Sequence, residues 1–97
     1  MFFVYILRSE QFGIFYVGHT DDLDKRVGEH QAGRSPYTKF RGPWKLVYVE
    51  VFSTRGEAMR REGEIKRRKS RRYIERLVSQ SNGSWRVLLS KRVGEVG

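Results

Sequence analysis

The sequence predicts an α+β fold, a small three-stranded antiparallel sheet flanked by helices. Two observations carry this expectation. Residues 2–7, 14–17 and 45–52 are rich in β-branched and aromatic side chains, and side-chain caps that open helices follow the second and third of these segments. The chain has 97 residues, enough for one hydrophobic core, since folded chains of this size bury roughly two-thirds of the surface they expose when unfolded.

In the first strand, Phe2-Phe3-Val4-Tyr5-Ile6-Leu7 is followed by polar residues and Gly13, and Ile14-Phe15-Tyr16-Val17 resumes the pattern as a hairpin partner. Period-2 alternation puts Phe3, Tyr5 and Leu7 on one face, and Ile14 and Tyr16 on one face of the partner, so both tyrosines can share a surface. Gly18 is expected to end the second strand. Thr20-Asp21-Asp22 then offers N-cap oxygens for a helix running to about Ala32, with Gly33 as its stop. Residues 33–43 contain four helix and strand breakers and read as a long surface loop. The strand at 45–52 is expected at the centre of the sheet, with Leu46, Tyr48 and Phe52 on one face and Val47, Val49 and Val51 on the other.

Thr54-Arg55-Gly56-Glu57 matches a capping box for a helix to about Lys69, and Ser70 restarts a shorter one whose stripe is Tyr73, Ile74, Leu77 and Val78. Residues 1–80 are expected to form the domain and residues 81–97 a C-terminal extension, partly packed through Trp85 to Leu89 and frayed from Ser90.

Twenty Lys and Arg against eleven Asp and Glu give a formal charge of +9, which points to a polyanionic partner, nucleic acid first. The absence of cysteine excludes disulfides, thiolate zinc sites, a catalytic thiol and iron–sulfur clusters. The longest apolar stretch, residues 2–7, is far short of the roughly 20 residues that cross a bilayer, so the expectation is a cytoplasmic protein with no membrane partner.

Polar residues interrupt two apolar helix faces. Around Leu23 and Val27, the position of His30 falls near the centre of the stripe and that of Arg26 on its edge. On the next helix Ala58, Met59 and Ile65 set the apolar face, and Glu62 lies near its middle. A carboxylate there must be paired, protonated or bound to a cation, because an unpaired buried charge costs several kcal/mol or more. Core hydrogen bonding for His30 and a salt bridge to Arg26 or Lys66 for Glu62 are the structural alternatives. Local rules tend to fail at functional sites, which makes Tyr5, Tyr16, Arg26, His30 and Glu62 the candidate set.

In order and spacing these residues resemble the GIY-YIG nuclease superfamily, specifically its small single-domain bacterial members. The elements are Phe3-Val4-Tyr5, then Tyr16-Val17-Gly18, then Asp22-Leu23-x-x-Arg26-x-x-x-His30, then Glu57-Ala58-x-x-x-Glu62-x-x-Ile65-Lys66, and the resemblance covers roughly residues 2–78. Phe3 and Val4 replace the Gly and Ile of the first tripeptide, and Val17 the Ile of the second. The resemblance implies a metal-dependent endonuclease acting on DNA. Glu62 would hold Mg²⁺ or Mn²⁺, Tyr5 would orient or deprotonate the attacking water with Tyr16 beside it, and Arg26 would stabilise the transition state. A phenol near pKa 10 is a poor base at neutral pH, so a cationic His30 or Arg26 is expected to favour its phenolate.

Residues 55–76 hold ten basic and four acidic side chains. Lys66, Arg67, Arg68, Lys69, Arg71 and Arg72 form the densest run, suited to backbone phosphates. Arg34, Tyr37, Lys39, Phe40 and Arg41, with Trp44 after them, interleave charge and aromatics as a second contact region. A larger repair or recombination complex is a natural setting for so small a nuclease. The competing expectation is a non-catalytic basic module binding DNA or RNA.

Overall fold

A computed structural model describes residues 1–68, 70–81 and 83–86. The elements are β1 (Phe2–Ser9), β2 (Phe15–Thr20), α1 (Leu23–Gln31), β3 (Trp44–Phe52), α2 (Arg55–Arg68) and α3 (Arg71–Ser81). The three strands form one antiparallel sheet in the order β2-β1-β3. The α+β expectation holds, but the central strand is β1 and not β3. The physical reason is legible in hindsight. Phe3 to Leu7 are apolar on both faces and all buried, as a middle strand requires, whereas Lys45 and Glu50 mark β3 as an edge.

A second correction concerns the faces of β3. Ile6 pairs with Tyr48 but Leu7 pairs with Leu46, so Val47 is an extra residue in a bulge. Leu46 therefore shares the face of Val49 and Val51, opposite Leu7, Tyr5 and Phe3, and leaves the face of Tyr48 and Phe52. Gly18 also lies inside β2, two residues before its end, and does not terminate it.

The caps form where the side chains predict them. The Asp22 carboxylate accepts from the Lys25 amide at 3.2 Å, and Gly33, at φ +74°, closes α1 with its amide on the His30 carbonyl at 3.1 Å. Thr54 and Glu57 make the reciprocal capping box, each side chain accepting from the other's amide at 3.2 Å. The Ser70 hydroxyl accepts from the Tyr73 amide at 3.1 Å and starts α3. Helix α2 packs on β1 and β2 through Ala58 and Ile65, both fully buried. Met59, expected on that face, is instead 54% exposed, since one residue beyond Ala58 the helix has turned about 100° away.

On the α2 side, Glu50 of β3 accepts two hydrogen bonds from Arg61, from Nε and Nη2 at 3.0 Å each, and one from the Tyr48 hydroxyl. Arg61 also donates to the Tyr73 hydroxyl at 3.3 Å. This bidentate pair fastens α2 and α3 to the edge strand. Tyr73, Ile74, Leu77 and Val78 pack against the core as the stripe predicts, and Trp85 is buried in it. Lys69 and residues 87–97, which include the expected packing of Val87 to Leu89 and the frayed tail, lie outside the described residues.

Candidate active site

Antiparallel pairing of β1 with β2 builds the site. Tyr5 lies opposite Gly18 and Tyr16 opposite Leu7, which sets the two tyrosines diagonally on one face with ring centroids 6.3 Å apart. Gly18 makes this approach feasible. A Cβ there would lie 2.6 Å from the Tyr5 hydroxyl oxygen and 3.1 Å from the Tyr16 ring, so any side chain would force the phenols out of place.

Helix α1 brings His30 into the same cluster. Its ring is fully buried, 4.6 Å from the Tyr16 centroid and 5.8 Å from that of Tyr5, and its Nε2 lies 2.9 Å from the Tyr5 hydroxyl. On the other side Nδ1 lies 2.9 Å from Thr38 Oγ1, and that hydroxyl donates to the Ser35 carbonyl at 3.3 Å. Thr38 thus accepts from Nδ1–H, which leaves the Nε2 lone pair to accept the proton of Tyr5. The order Tyr5 to His30 to Thr38 to Ser35 is a directed chain of hydrogen bonds. Thr38 was missed in the sequence, where it was one more polar residue of a loop.

Burial lowers the His30 pKa to about 4, and the positive charge of Arg26 adds to the effect. His30 is therefore neutral at pH 7. Burial also pushes the Tyr5 phenol well above its ordinary value, and the Arg26 guanidinium, which interacts with it, pulls back only part of the way. The expectation of a phenolate favoured by a cationic His30 is corrected on both counts: desolvation of two neutral groups outweighs the one nearby cation. Arg26 sits at the margin of the cluster, half-exposed, paired with Glu29 at 3.1 Å and interacting with both phenols.

The titration of His30 has a consequence for stability. The unfolded imidazole takes up a proton near pH 6.5 and the folded one only near 4, so the unfolded state binds the proton first and stability falls as pH drops through that interval. Urea unfolding at pH 4.5 is expected to show about 2–3 kcal/mol less stability than at pH 7 from this group alone. His30→Gln is expected to remove that part of the slope.

Glu62 reaches the site from α2. Its Oε1 lies 2.6 Å from His19 Nδ1 and its Oε2 2.6 Å from Lys66 Nζ, with 17% of the side chain exposed. Burial alone would raise its pKa, but the hydrogen bonds from Lys66 and His19 more than offset this and hold the carboxyl below its usual value. Of the three possibilities left by the sequence, it is ionised and paired, to Lys66 rather than to Arg26. His19, unnoticed in the sequence, alternates with Gly18 and so projects from the sheet face opposite Tyr16. Among the described residues strand β2 is an edge of the sheet, and Glu62 acts electrostatically on Tyr5. Along the same edge runs an open cavity of about 530 Å³, lined by Phe15 and Tyr16 of β2, Lys66 of α2, Tyr37 and Arg71.

The predicted phosphate contacts divide. Lys66 and Arg71 line the cavity beside Tyr16, whereas Arg68 lies over the Tyr73 ring at 4.6 Å and borders a different hollow with Arg67. Arg72 and Arg34 are exposed. In the 33–43 loop, Tyr37 stacks on Tyr16 at 5.6 Å and Arg41 covers Tyr37 at 5.0 Å. Lys69 lies outside the described residues.

A family profile described as the GIY-YIG catalytic domain matches residues 1–74. The chain belongs to the GIY-YIG family. Within it, the chain is 43% identical over 84 residues to UPF0213 protein BH0048 of Halalkalibacterium halodurans, covering 86% of this chain and 87% of that one. It is 46% identical over 65 residues to UPF0213 protein SH2523 of Staphylococcus haemolyticus, covering 66% and 78%. The solution NMR structure of UPF0213 protein BH0048 from Bacillus halodurans matches with a TM-score of 0.54 at 42% identity, covering 88% of this chain and 90% of that one. The family match places the chain in a nuclease superfamily, and the matched residues 1–74 include Tyr5, Tyr16, Arg26, His30 and Glu62.

Proposed function

We propose that this GIY-YIG protein is a divalent-metal-dependent endonuclease that hydrolyses phosphodiester bonds in DNA. The observation that carries the reading is the cluster of two phenols, a neutral imidazole and a guanidinium on one face of β1 and β2, with the ionised Glu62 carboxylate acting electrostatically on Tyr5 from α2.

Among the described residues no three His, Cys, Asp or Glu side chains come together, and Glu62, with the His19 imidazole 2.6 Å from its Oε1, is the carboxylate that would hold an ion. Such a donor set fits Mg²⁺ or Mn²⁺, hard ions that keep several waters and take substrate phosphate oxygens as further ligands. A bound ion would supply charge neutralisation at the leaving 3′-oxygen. Tyr5 orients the attacking water through its hydroxyl oxygen. As that water attacks phosphorus and the P–O3′ bond breaks, its proton passes to Tyr5 Oη and the phenol proton passes to His30 Nε2. Arg26, partly exposed beside both phenols, donates to the non-bridging oxygens as their charge grows. Tyr16 holds His30 and Tyr5 in register by stacking.

Binding to a DNA duplex, measured in EDTA so that nothing is cut, is expected to weaken steeply as salt rises, with log K linear in log[salt]. A flat plot removes phosphate contact from the proposal. Nicking of plasmid DNA on addition of Mg²⁺ or Mn²⁺ is the accompanying positive result, and salt-sensitive binding without any nicking favours the non-catalytic module.

A further inference from the structure

Phe40 stands apart from the site and from the core. It is 87% exposed, the most exposed large apolar side chain of the described residues, and the only described non-glycine residue with positive φ, at 65°. A bulky side chain in the left-handed region is strained, and burial does not offset it at Phe40: the ring lies outside the core, with the Lys39 ammonium 5.1 Å from its centroid. The residues around it are pinned. The Thr38 hydroxyl holds His30, and its carbonyl accepts from the Trp44 indole at 3.0 Å. The Arg41 carbonyl accepts from the Ser9 hydroxyl at 2.6 Å, and the Lys39 amide donates to the Ser35 carbonyl at 3.0 Å. Gln31 clamps Trp44 by accepting from its amide at 2.8 Å. The loop presents one aromatic ring outward with the Lys39 ammonium against it, while the Arg41 guanidinium lies over the Tyr37 ring.

We propose that Phe40 is a wedge that enters between two stacked bases of the bound DNA and fixes which phosphodiester meets Tyr5. The inference rests on the nuclease reading above and adds to it a positioning residue. An apolar ring alone fits many partners, but the Lys39 ammonium against this one suits a phosphate beside a base step, and the whole chain carries +9. Thr38 touches the catalytic imidazole, and two residues of backbone span at most about 7 Å, so the wedge enters within a few base steps of the cut.

The test uses the full chain, with EDTA present, and duplex oligonucleotides carrying 2-aminopurine at successive positions. Wild-type protein is expected to raise the fluorescence at one position, where the base is unstacked. Phe40→Gly is expected to abolish that rise and to weaken binding about tenfold, the scale of one lost base–aromatic stack. Phe40→Trp is expected to retain both. Glycine is at ease at φ 65°, so the thermal midpoint of Phe40→Gly should stay level or rise. Loss of function with a stability that holds or grows separates a wedge from a structural residue. Unchanged binding and fluorescence in Phe40→Gly overturn the wedge while the nuclease reading stands, and so does a fall in the thermal midpoint matching the loss of binding. Failure of the wild-type protein to bind DNA at any salt overturns both.

Discussion

Glu62→Gln is expected to lower metal-dependent DNA cleavage by about 10²–10³-fold, the scale of losing one well-placed electrostatic group, while binding in EDTA stays within a factor of a few. The substitution keeps the shape of the side chain and leaves an amide oxygen able to accept from Lys66 or His19, so the fold around Ile65 and Ala58 should hold. What goes is the negative charge, and with it the carboxylate ligand proposed for a hard cation. The measurement is single-turnover nicking across a titration of Mn²⁺. If the role is to hold the ion, high Mn²⁺ restores part of the lost rate, since water can replace a weakened ligand at a cost in affinity. Full cleavage by the variant at low metal would remove Glu62 from the chemistry. Charge loss also frees Lys66, so binding that becomes slightly tighter agrees with the same assignment.

The sequence made some of this legible for physical reasons that can be named. Caps and periodicity are local, and the capping box at Thr54 and Glu57, the Asp22 cap and the α3 stripe all formed where they were expected. The polar intrusions on apolar faces at His30 and Glu62 pointed to two members of the candidate site, because burying such groups has a cost unless they are paired. Sheet order was misplaced because period-2 alternation in residues 45–52 was weighed above the continuous apolar run of residues 2–7, which is the stronger mark of a middle strand. The bulge at Val47 left no trace in the pattern, since it depends on the partner strand. Thr38, His19 and the Glu50–Arg61 pair were invisible for the same reason: each matters through a residue at least eight positions away. The most consequential error was electrostatic. Counting cations predicted a phenolate, whereas burial, which a sequence states only indirectly, keeps Tyr5 and His30 neutral.

That neutrality shapes what Tyr5→Phe should do. Removing the hydroxyl is expected to cost about 10²–10⁴-fold in turnover, the range for losing a positioned proton-transfer group, with binding in EDTA unchanged. It also strands His30 Nε2, which is buried and has Tyr5 as its partner, at about 1–3 kcal/mol of stability. A loss of stability without a loss of turnover would make Tyr5 a packing residue. If Tyr5 and His30 pass one proton along one chain, they act as a unit, and their deletions cannot add. His30→Gln should then cost nearly as much turnover as Tyr5→Phe, and the double variant little more than either. Independent roles predict instead that the two losses multiply. Because the phenol is held protonated in the folded protein, the rate of the wild type should not depend on forming free phenolate. A rate that climbs tenfold per pH unit through the alkaline range in wild type, and not in Tyr5→Phe, would restore the phenolate as the base and reduce His30 to its orienting partner.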